Sequence, residues 1–290
     1  MHPAPSVIIF SVMSGLGFGL LAYLGAGAIK PDGWMAFGWW GLGYALAISG
    51  LLAATFHLGN PRNAIKSFSQ WRTSWLSREA WASVATLLLL APMALSDWLG
   101  LGWSRGLGYL GAGLALYTVF TTSMIYAQIK AVPRWHHWIN PVMFLVFAMA
   151  GGAVLAGLGF AAYPLAALGL LLFAVWYVGD TQFEKAAQTM GTATGLGGTG
   201  EVTVFEQPHT GGNYLMREMI YVVGRKHAQK LRMIAVLLAS VLPAFSLAVL
   251  PHGVWVFGFA ALCHLIGAFA ARWLFFAEAE HVVGLYYGAR

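Results

Sequence analysis

The stretch TFHLGNPRNAIKSFSQWRTSWLSREAW, residues 55–81, gathers titratable and aromatic side chains in a chain that is apolar on both sides of it. His57 and Glu79 are its candidates for proton exchange near neutral pH, because a histidine titrates there and a glutamate partly removed from water does so too. Four basic residues and two tryptophans lie between them. A pair of this kind suits acid–base chemistry on a bound substrate.

Composition places these residues in a membrane protein. Hydrophobic residues make up 59% of the 290 and charged residues 9%, against about 25% charged in a soluble domain, and the mean hydropathy is +0.69. The N-terminal MHPAPSVIIF has no Lys or Arg before its apolar run, so we expect that run to remain as a membrane span. Cys263 is the only cysteine, which excludes an internal disulfide and a thiolate metal site or iron–sulfur cluster built from this chain alone.

Eight apolar stretches are long enough to cross a bilayer core of about 30 Å. They predict an all-α integral membrane protein, an eight-transmembrane-helix bundle that forms a single domain over 1–290. The alternating pattern of transmembrane strands is missing from the sequence. The eight stretches lie at roughly 7–29, 34–57, 79–98, 106–129, 139–160, 162–179, 232–250 and 254–276.

Positive charges are distributed unevenly between the two sides of this predicted bundle. Fourteen Lys and Arg fall on the side that holds both termini and two on the other, and such an excess marks the cytoplasmic side. We therefore expect a multi-pass protein of the cytoplasmic (inner) membrane with both termini in the cytoplasm. Basic residues facing membrane lipid explain the net charge of +6 without nucleic acid. The fourteen are Arg62, Lys66, Arg72, Arg78, Lys130, Arg134, Lys185, Arg217, Arg225, Lys226, Lys230, Arg232, Arg272 and Arg290; the two are Lys30 and Arg105.

Between the second and third predicted spans, the chain has the pattern of an interfacial amphipathic helix. Its apolar residues recur near helical spacing, while most of the basic residues fall elsewhere. Such a helix would lie along the membrane surface and cover the gap between two spans with aromatic rings. The apolar set is Ala64, Ile65, Phe68, Trp71, Trp75 and Leu76.

Antiparallel second and third spans would bring His57 and Glu79 to the same membrane edge. An aromatic roof there offers an entry from the lipid for an apolar ligand with a polar head. A quinone has this form and exchanges two electrons and two protons at its ring. This chemistry makes the edge a candidate quinone site, with His57 and Glu79 as its candidate catalytic groups. The alternative is that His57 caps its helix and Glu79 pairs with a nearby arginine. The predicted quinone-binding residues are His57, Arg62, Trp71, Trp75 and Glu79.

The same stretch carries a family resemblance. HLGNPRNAIKSF followed by SWLSREAW resembles the His-Leu-Gly-x-Pro and Ser-x-Leu-Ser-x-Glu signatures of the dimethyl sulfoxide reductase anchor subunits, the DmsC family. The likeness runs along the whole chain. QPHTGGNYLMREM, GRKHAQKLR and RWLFFAEAEHVVGLYYG look most like the membrane anchor of sulfite dehydrogenases that face the cytoplasm.

This resemblance implies a membrane anchor subunit in an oxidoreductase complex. The anchor would hold a molybdopterin catalytic subunit and an iron–sulfur electron-transfer subunit and exchange electrons with ubiquinone or menaquinone. It would have no substrate-oxidising centre of its own. The family's histidine and glutamate that handle quinol fall on His57 and Glu79 here.

The connection over about 180–231 is far longer than a helical bundle needs. Its glycines, in GTATGLGGTG, do not form a strand-to-helix phosphate loop followed by lysine, which argues against nucleotide binding. We expect a flexible arm that ends in a docking segment for the iron–sulfur partner, with Tyr214, Arg217 and Glu218 as contact residues. A merely solvated loop is the alternative.

His264 falls near the middle of the last predicted span, where an ionisable group usually points inward. A haem held by two histidines would need a second mid-span histidine, and the sequence has none. We therefore expect a hydrogen-bonded packing role and no haem. After that span, Glu278, Glu280 and His281 favour a solvated helix end over a group for proton uptake.

A function of another class, a secondary transporter or a non-redox scaffold, stays open on these residues. A transporter normally has broken helices or polar residues at mid-membrane in both halves. The predicted mid-spans here are apolar apart from His264. A polar pair at one face favours electron exchange with a docked partner.

Overall fold

The fold is that of a computed structural model, which describes residues 1–58, 60–206, 211, 213–220 and 227–287. Every regular element in these residues is helical. The long helices of the first part are α1 (Pro5–Gly25), α2 (Gly33–Thr55), α3 (Trp75–Leu99), α4 (Gly106–Ala127), α5 (Ile139–Leu155) and α6 (Ala162–Lys185). They are followed by the short α7 (Met190–Thr194) and α8 (Tyr214–Glu218), then α9 (Ala228–Val236), α10 (Leu242–Val249) and α11 (Val254–Ala277). A π-helical turn over Leu237–Val241 joins α9 to α10, and 3-10 helices cover Pro61–Phe68 and Val282–Tyr287.

Seven helices in the described residues are long and apolar enough to cross a membrane. They confirm seven of the eight predicted spans. The predicted fifth span is also an apolar helix, α5, but it has only 17 residues. At 1.5 Å per residue it is about 26 Å long, a little less than the bilayer core. The seven are α1, α2, α3, α4, α6, the continuous helix Ala228–Val249 and α11.

α1 is the most buried of the spanning helices, and glycines let its neighbours approach its backbone. A Cβ added at Gly19 would overlap the backbone of Ala148 on α5, and one added at Gly152 would overlap Gly19 itself. Gly108 on α4 makes the same kind of contact with Gly25. Such close approach gives the dispersion contacts that hold membrane helices together, because lipid provides no hydrophobic drive for their association.

Backbone hydrogen bonds gather both ends of the chain on one face of the bundle. The amine of Met1 donates to the carbonyl oxygen of Ala279 at 2.6 Å. The N–H of Val282 donates to the carbonyl oxygen of Ala131, in the connection between α4 and α5, at 2.9 Å. The N-terminus, this connection and the C-terminal segment therefore lie together, as the order of the predicted spans requires.

Four charged side chains form a ring at this face. Arg134 binds Asp180 at 2.8 Å and Glu278 at 2.9 Å. Arg232 binds the same two acids, each at 2.6 Å. Glu278 is only 7% exposed, so the expectation of a solvated helix end is wrong for this residue. Two arginines from distant parts of the chain replace the water around its carboxylate.

Arg272, which the sequence analysis counts among the charges of the cytoplasmic side, lies inside the bundle. It is 3% exposed, and its Cζ is 3.6 Å from the ring centre of Phe144 on α5. α11 continues to Ala277, which places this arginine within the helix and not in a loop. Without Arg272, thirteen Lys and Arg remain on the side of the termini against two on the other side, so the predicted orientation is unchanged.

Candidate functional site

Glu79 is the buried acid of the opening stretch. It begins the second turn of α3 and is 4% exposed. Its Oε1 is hydrogen-bonded to the hydroxyl group of Thr122 on α4. Thr86 and Thr118, whose hydroxyl oxygens are 3.1 Å apart, join the same two helices. Among the residues that the structure describes, no arginine forms an ion pair with Glu79, and the group that bonds its carboxyl oxygen is the hydroxyl of Thr122.

The hydroxyl group of Thr122 has one proton and two possible acceptors, since it also lies 3.0 Å from the carbonyl oxygen of Thr118. When Glu79 is ionised, Thr122 donates to the carboxylate. When Glu79 is protonated, its carboxyl group donates to Thr122, and Thr122 donates to Thr118. Oε1 of Glu79 thus keeps a hydrogen bond with Thr122 in both protonation states, which suits a group that exchanges protons.

A groove of about 500 Å³ opens between the end of the 3-10 helix Pro61–Phe68, α3 and α4; Arg78 and Trp81, on either side of Glu79 in the chain, line it, and Glu79 itself does not. Its volume suits a small-molecule ligand. Ala82 lies in its wall and three residues after Glu79, so the two share a face of α3. We call it the α3–α4 groove; its larger lining side chains are Phe68, Trp71, Arg78, Trp81, Leu114 and Tyr117.

The 3-10 helix forms the roof of the α3–α4 groove. It begins after Asn60, whose side-chain oxygen accepts the N–H of Arg62 at 3.1 Å, an N-cap. Trp81 on α3 holds its other end: the indole N–H donates to the carbonyl oxygen of Phe68 at 3.0 Å, and the two rings meet edge to face with centres 5.3 Å apart. The roof therefore has a defined position over α3.

Arg78 fixes the turn between this roof and α3. Its guanidinium donates to the carbonyl oxygens of Trp71 at 3.1 Å and Arg72 at 2.8 Å. It also lies 4.2 Å from the ring centre of Trp75, a cation–π contact. The predicted continuous helix over Ala64 to Leu76 is thus divided: the roof ends at Phe68, a turn contains Trp71, and Trp75 already begins α3.

The structure brings some of the predicted quinone-binding residues together and leaves others apart. Trp71 lines the α3–α4 groove; Glu79 and Trp75 lie on α3, which forms one wall of the groove, but neither is part of the lining. His57 is exposed two residues beyond α2, and Arg62 is exposed on the roof helix. In the described part of the chain, neither side chain has a hydrogen bond to Glu79 or lines the groove.

Trp81, Tyr117 and Thr122 are parts of this region that the sequence pattern did not predict. The run Thr121, Thr122 and Ser123 inside an apolar span was the available signal for Thr122, because hydroxyl groups in a span usually face another helix. Trp81 and Tyr117 lie among many aromatic residues, and their spacing does not distinguish them.

The predicted docking segment forms α8, a single helical turn on the same face as the termini. The backbone N–H of His2 donates to the carbonyl oxygen of Glu218 at 2.6 Å. The side-chain amide of Asn213 donates to the hydroxyl group of Tyr287 at 3.0 Å. Residues 207–210, 212 and 221–226 of the predicted arm lie outside the described residues. The predicted contact residues are all exposed on α8: Tyr214, Arg217 and Glu218.

Other candidate sites in the described residues have less chemistry. No group of three or more His, Cys, Asp or Glu side chains is arranged to hold a metal ion there. A groove of about 630 Å³ between α4 and α5 has His136 and His137 at its edge, but no carboxyl group lines it. His264 is buried, with Nδ1 2.7 Å from the carbonyl oxygen of Ala239, the hydrogen-bonded packing that we expected.

Comparison with known proteins identifies the family of the chain. The family of DMSO reductase anchor subunits (DmsC) matches residues 6–276. The chain is 28% identical to a subunit of the sulfite dehydrogenase of Allochromatium vinosum over 330 aligned positions, which cover 99% of each protein. No solved structure matches the chain significantly. The protein belongs to the DmsC family of DMSO reductase anchor subunits and is a membrane anchor of an oxidoreductase complex.

Proposed function

We propose that the protein is the quinone-reactive anchor subunit of a molybdopterin oxidoreductase complex. It exchanges electrons between an iron–sulfur partner subunit and the quinone pool. The likeness to a sulfite dehydrogenase subunit supports sulfite as the substrate of the molybdopterin subunit. One observation carries the proposal: Glu79 is a buried acid whose Oε1 keeps a hydrogen bond in both protonation states, on a helix that lines an aromatic groove.

In this proposal the quinone head group lies in the α3–α4 groove between Trp71 and Tyr117. Reduction of the ring takes two electrons from the iron–sulfur partner and two protons, and oxidation reverses both transfers. Glu79 exchanges protons with the ring. Arg78, the charged residue of the lining, donates to a quinone carbonyl oxygen.

His57, exposed at the end of α2, exchanges protons between Glu79 and the water on that face. Such a transfer needs a bridging water or a movement of the chain end, because the two groups have no direct hydrogen bond in the described residues. Arg62 and Trp75 complete the site at the roof and at the start of α3.

The proposed membrane topology has eight crossings with both termini in the cytoplasm and the roof helix at the cytoplasmic membrane surface. In this topology α5 crosses the membrane in addition to the seven longer helices, which brings the number of crossings to eight. Most of its residues are buried against other helices, so it need not match the full thickness of the lipid, and a short span is tolerated at modest cost. The excess of positive charge, thirteen to two without the buried Arg272, supports this orientation.

Glu79→Gln and His57→Phe test the site in the assembled complex. Glutamine keeps the volume of Glu79 without its proton exchange, and phenylalanine keeps a flat ring without nitrogens. Each change should slow quinone-coupled turnover by about 100-fold or more, as expected for the loss of an acid–base group. Turnover with a soluble artificial electron acceptor should stay near wild type, because that route bypasses the membrane site.

Two matched variants serve as controls. Glu184→Gln changes an exposed glutamate at the end of α6, and His252→Phe changes a histidine of the connection between α10 and α11. Both should keep quinone-coupled turnover. Wild-type quinone rates in Glu79→Gln and His57→Phe, with the complex intact, would remove these two residues from the site.

A further inference from the structure

A second polar site lies inside the bundle, in a small cavity between α1, α5 and α11. The cavity has a volume of about 10 Å³, close to what one water molecule needs. A Cβ added at Gly15 on α1 would meet no atom within 4 Å, which locates the open space beside that residue. The polar lining comes from Ser11, His264 and Arg272, and the rest is apolar. We call it the His264 cavity.

His264 lines this cavity and carries a hydrogen-bond acceptor that is unpartnered within the described ranges. Its Nδ1 is 2.7 Å from the carbonyl oxygen of Ala239; because a carbonyl oxygen only accepts, Nδ1 is assigned the proton. Pro243, four residues after Ala239, has no N–H to occupy that carbonyl as an α-helix would. In the neutral ring Nε2 is therefore an acceptor, and it has no hydrogen-bond partner among the described residues.

Arg272 presents a donor to the same cavity. It is 3% exposed, and its Nη1 also lacks a hydrogen-bond partner in the part of the chain that the structure describes. It follows His264 by eight residues on one face of α11, and its side chain leans back toward the start of the helix. Both groups lie against Phe147: its ring centre is 5.0 Å from Cζ of Arg272 and 6.0 Å from the centre of the His264 ring.

We propose that Arg272 and His264 bind one water molecule in the His264 cavity. The water accepts a hydrogen bond from Nη1 of Arg272 and donates one to Nε2 of His264. Its second proton goes to the hydroxyl oxygen of Ser11, whose own proton is donated to the carbonyl oxygen of Ile8 at 3.1 Å. Three partners are the usual number for a buried water.

The chemistry of the two side chains selects water over an anion. An anion would accept from Arg272 but would also face the lone pair of Nε2. Protonation of His264 would remove that conflict, but it would place a second positive charge beside Arg272 in a medium of low dielectric constant. Only a ligand that both accepts and donates satisfies the two groups together, and the cavity volume limits it to the size of water.

This site is separate from the proposed quinone site and does not depend on it. None of its lining residues lies on α3 or in the α3–α4 groove. In the described residues no carboxylate forms an ion pair with Arg272. The bound water, together with the contact on Phe144, is what allows this cation to lie inside the bundle.

An experimental density map of the complex that shows other buried waters is the direct test. Density should lie about 3 Å from both Nε2 of His264 and Nη1 of Arg272. A thermal unfolding cycle with His264→Leu, Arg272→Met and the double variant gives a second readout. Each single variant loses the same water, so the double variant should lose less thermal stability than the sum of the two.

Arg105→Met combined with His264→Leu is the control pair, because Arg105 lies at the start of α4 and bonds Asp97. The losses of thermal stability in Arg105→Met and His264→Leu should add in the double variant. A map without density between the two groups, or simple addition of the His264→Leu and Arg272→Met losses, would overturn the proposal. If the variants do not insert in the membrane, the wild-type map alone decides.

Discussion

At the scale of single residues, the proposed proton exchange at Glu79 depends on how one hydroxyl group is shared. Thr122 lies between the carboxyl group of Glu79 and the carbonyl oxygen of Thr118, and its single proton goes to one of them at a time. The hydroxyl group therefore follows the protonation state of the acid. Arginine in the same place would instead hold Glu79 in its charged form.

Thr122→Val should slow quinone-coupled turnover about 10-fold or more, because a lost hydrogen bond to an ionisable group is worth about 1.5–3 kcal/mol. Thr122→Ser keeps the hydroxyl group and should retain most of the rate. Thr121→Val is the matched control, since Thr121 is equally buried but bonds only to Thr118 in its own helix. Steady-state rates in membranes measure all three; equal rates in the valine and serine variants at 122 would show that the hydroxyl group has no role.

At the scale of secondary-structure elements, specific hydrogen bonds hold the connections in place as well as the spans. The roof helix is held by Trp81, and the start of α5 is held by a histidine. His137 accepts the N–H of Ile139 through Nδ1 at 3.1 Å, so this bond exists only while Nδ1 is unprotonated. Such bonds fix where a helix begins and so which of its faces meets the bundle.

The bond at His137 predicts a pH dependence of stability. Burial, Lys185 and His136 together lower the pKa of His137 below its usual value. The unfolded chain, with a histidine pKa of about 6.5, then takes up the proton more readily than the folded chain. The contribution of His137 to the stability of the folded protein is complete above about pH 6.5. It is lost as the pH falls from there through the pKa of His137 in the folded protein. His137→Asn supplies an acceptor that does not titrate, so its thermal stability should fall less between pH 7.5 and 5.5 than that of wild type; an equal fall would assign the effect to other groups.

The arm between α6 and α9 is the element that we expect to contact the iron–sulfur subunit. Deletion of 214–219 removes α8 and should release the catalytic subunits from membranes. Arg217→Glu reverses one exposed charge there without removing the helix and should weaken their retention. Two changes in the glycine-rich part of the arm are the controls: deletion of 195–200 and Glu201→Lys. Both variants should retain the catalytic subunits on membranes. Membrane sedimentation followed by immunoblotting measures this, and full retention after loss of 214–219 would show that the arm is not needed for assembly.

At the scale of the whole molecule, one face of the bundle is built from parts that are far apart in sequence. Met1 bonds Ala279, and Arg134, Asp180, Arg232 and Glu278 join the connection after α4 to the ends of α6 and α11 and the beginning of α9. These bonds between distant segments give the face a defined structure, as the proposed docking of a partner there would require. The roof helix and α8 belong to the same end of the protein in the proposed topology.

The proposed topology predicts that this face is cytoplasmic. A fluorescent protein fused to the C-terminus should be bright, and an alkaline phosphatase fused at the same point should be inactive. The physical reason is that positively charged loops are retained on the cytoplasmic side during insertion. An active phosphatase fusion, with a dark fluorescent fusion, would invert the topology and remove the cytoplasmic partner with it.

The sequence by itself determined the class of fold. In lipid each spanning segment must satisfy its own backbone hydrogen bonds, so an apolar run of sufficient length can only be a helix or a strand of a closed barrel, and the missing alternation leaves the helix. Residue type and spacing also singled out the stretch from His57 to Glu79, because polar groups are rare and costly in such a chain. The length of α5 was overestimated, because apolar residues continue into the turn after Leu155.

Only the tertiary structure decided which side chains meet. Thr122 is 43 residues from Glu79 along the chain. The two arginines that form ion pairs with the buried Glu278 are Arg134 and Arg232, which are also far from it in sequence. Nearly every face of a membrane helix is apolar, so hydrophobic periodicity does not reveal which face points to another helix and which to lipid. Helix packing sets that choice. It also decides the burial of Arg272, the hydrogen bond between His264 and Ala239, and the position of the α3–α4 groove.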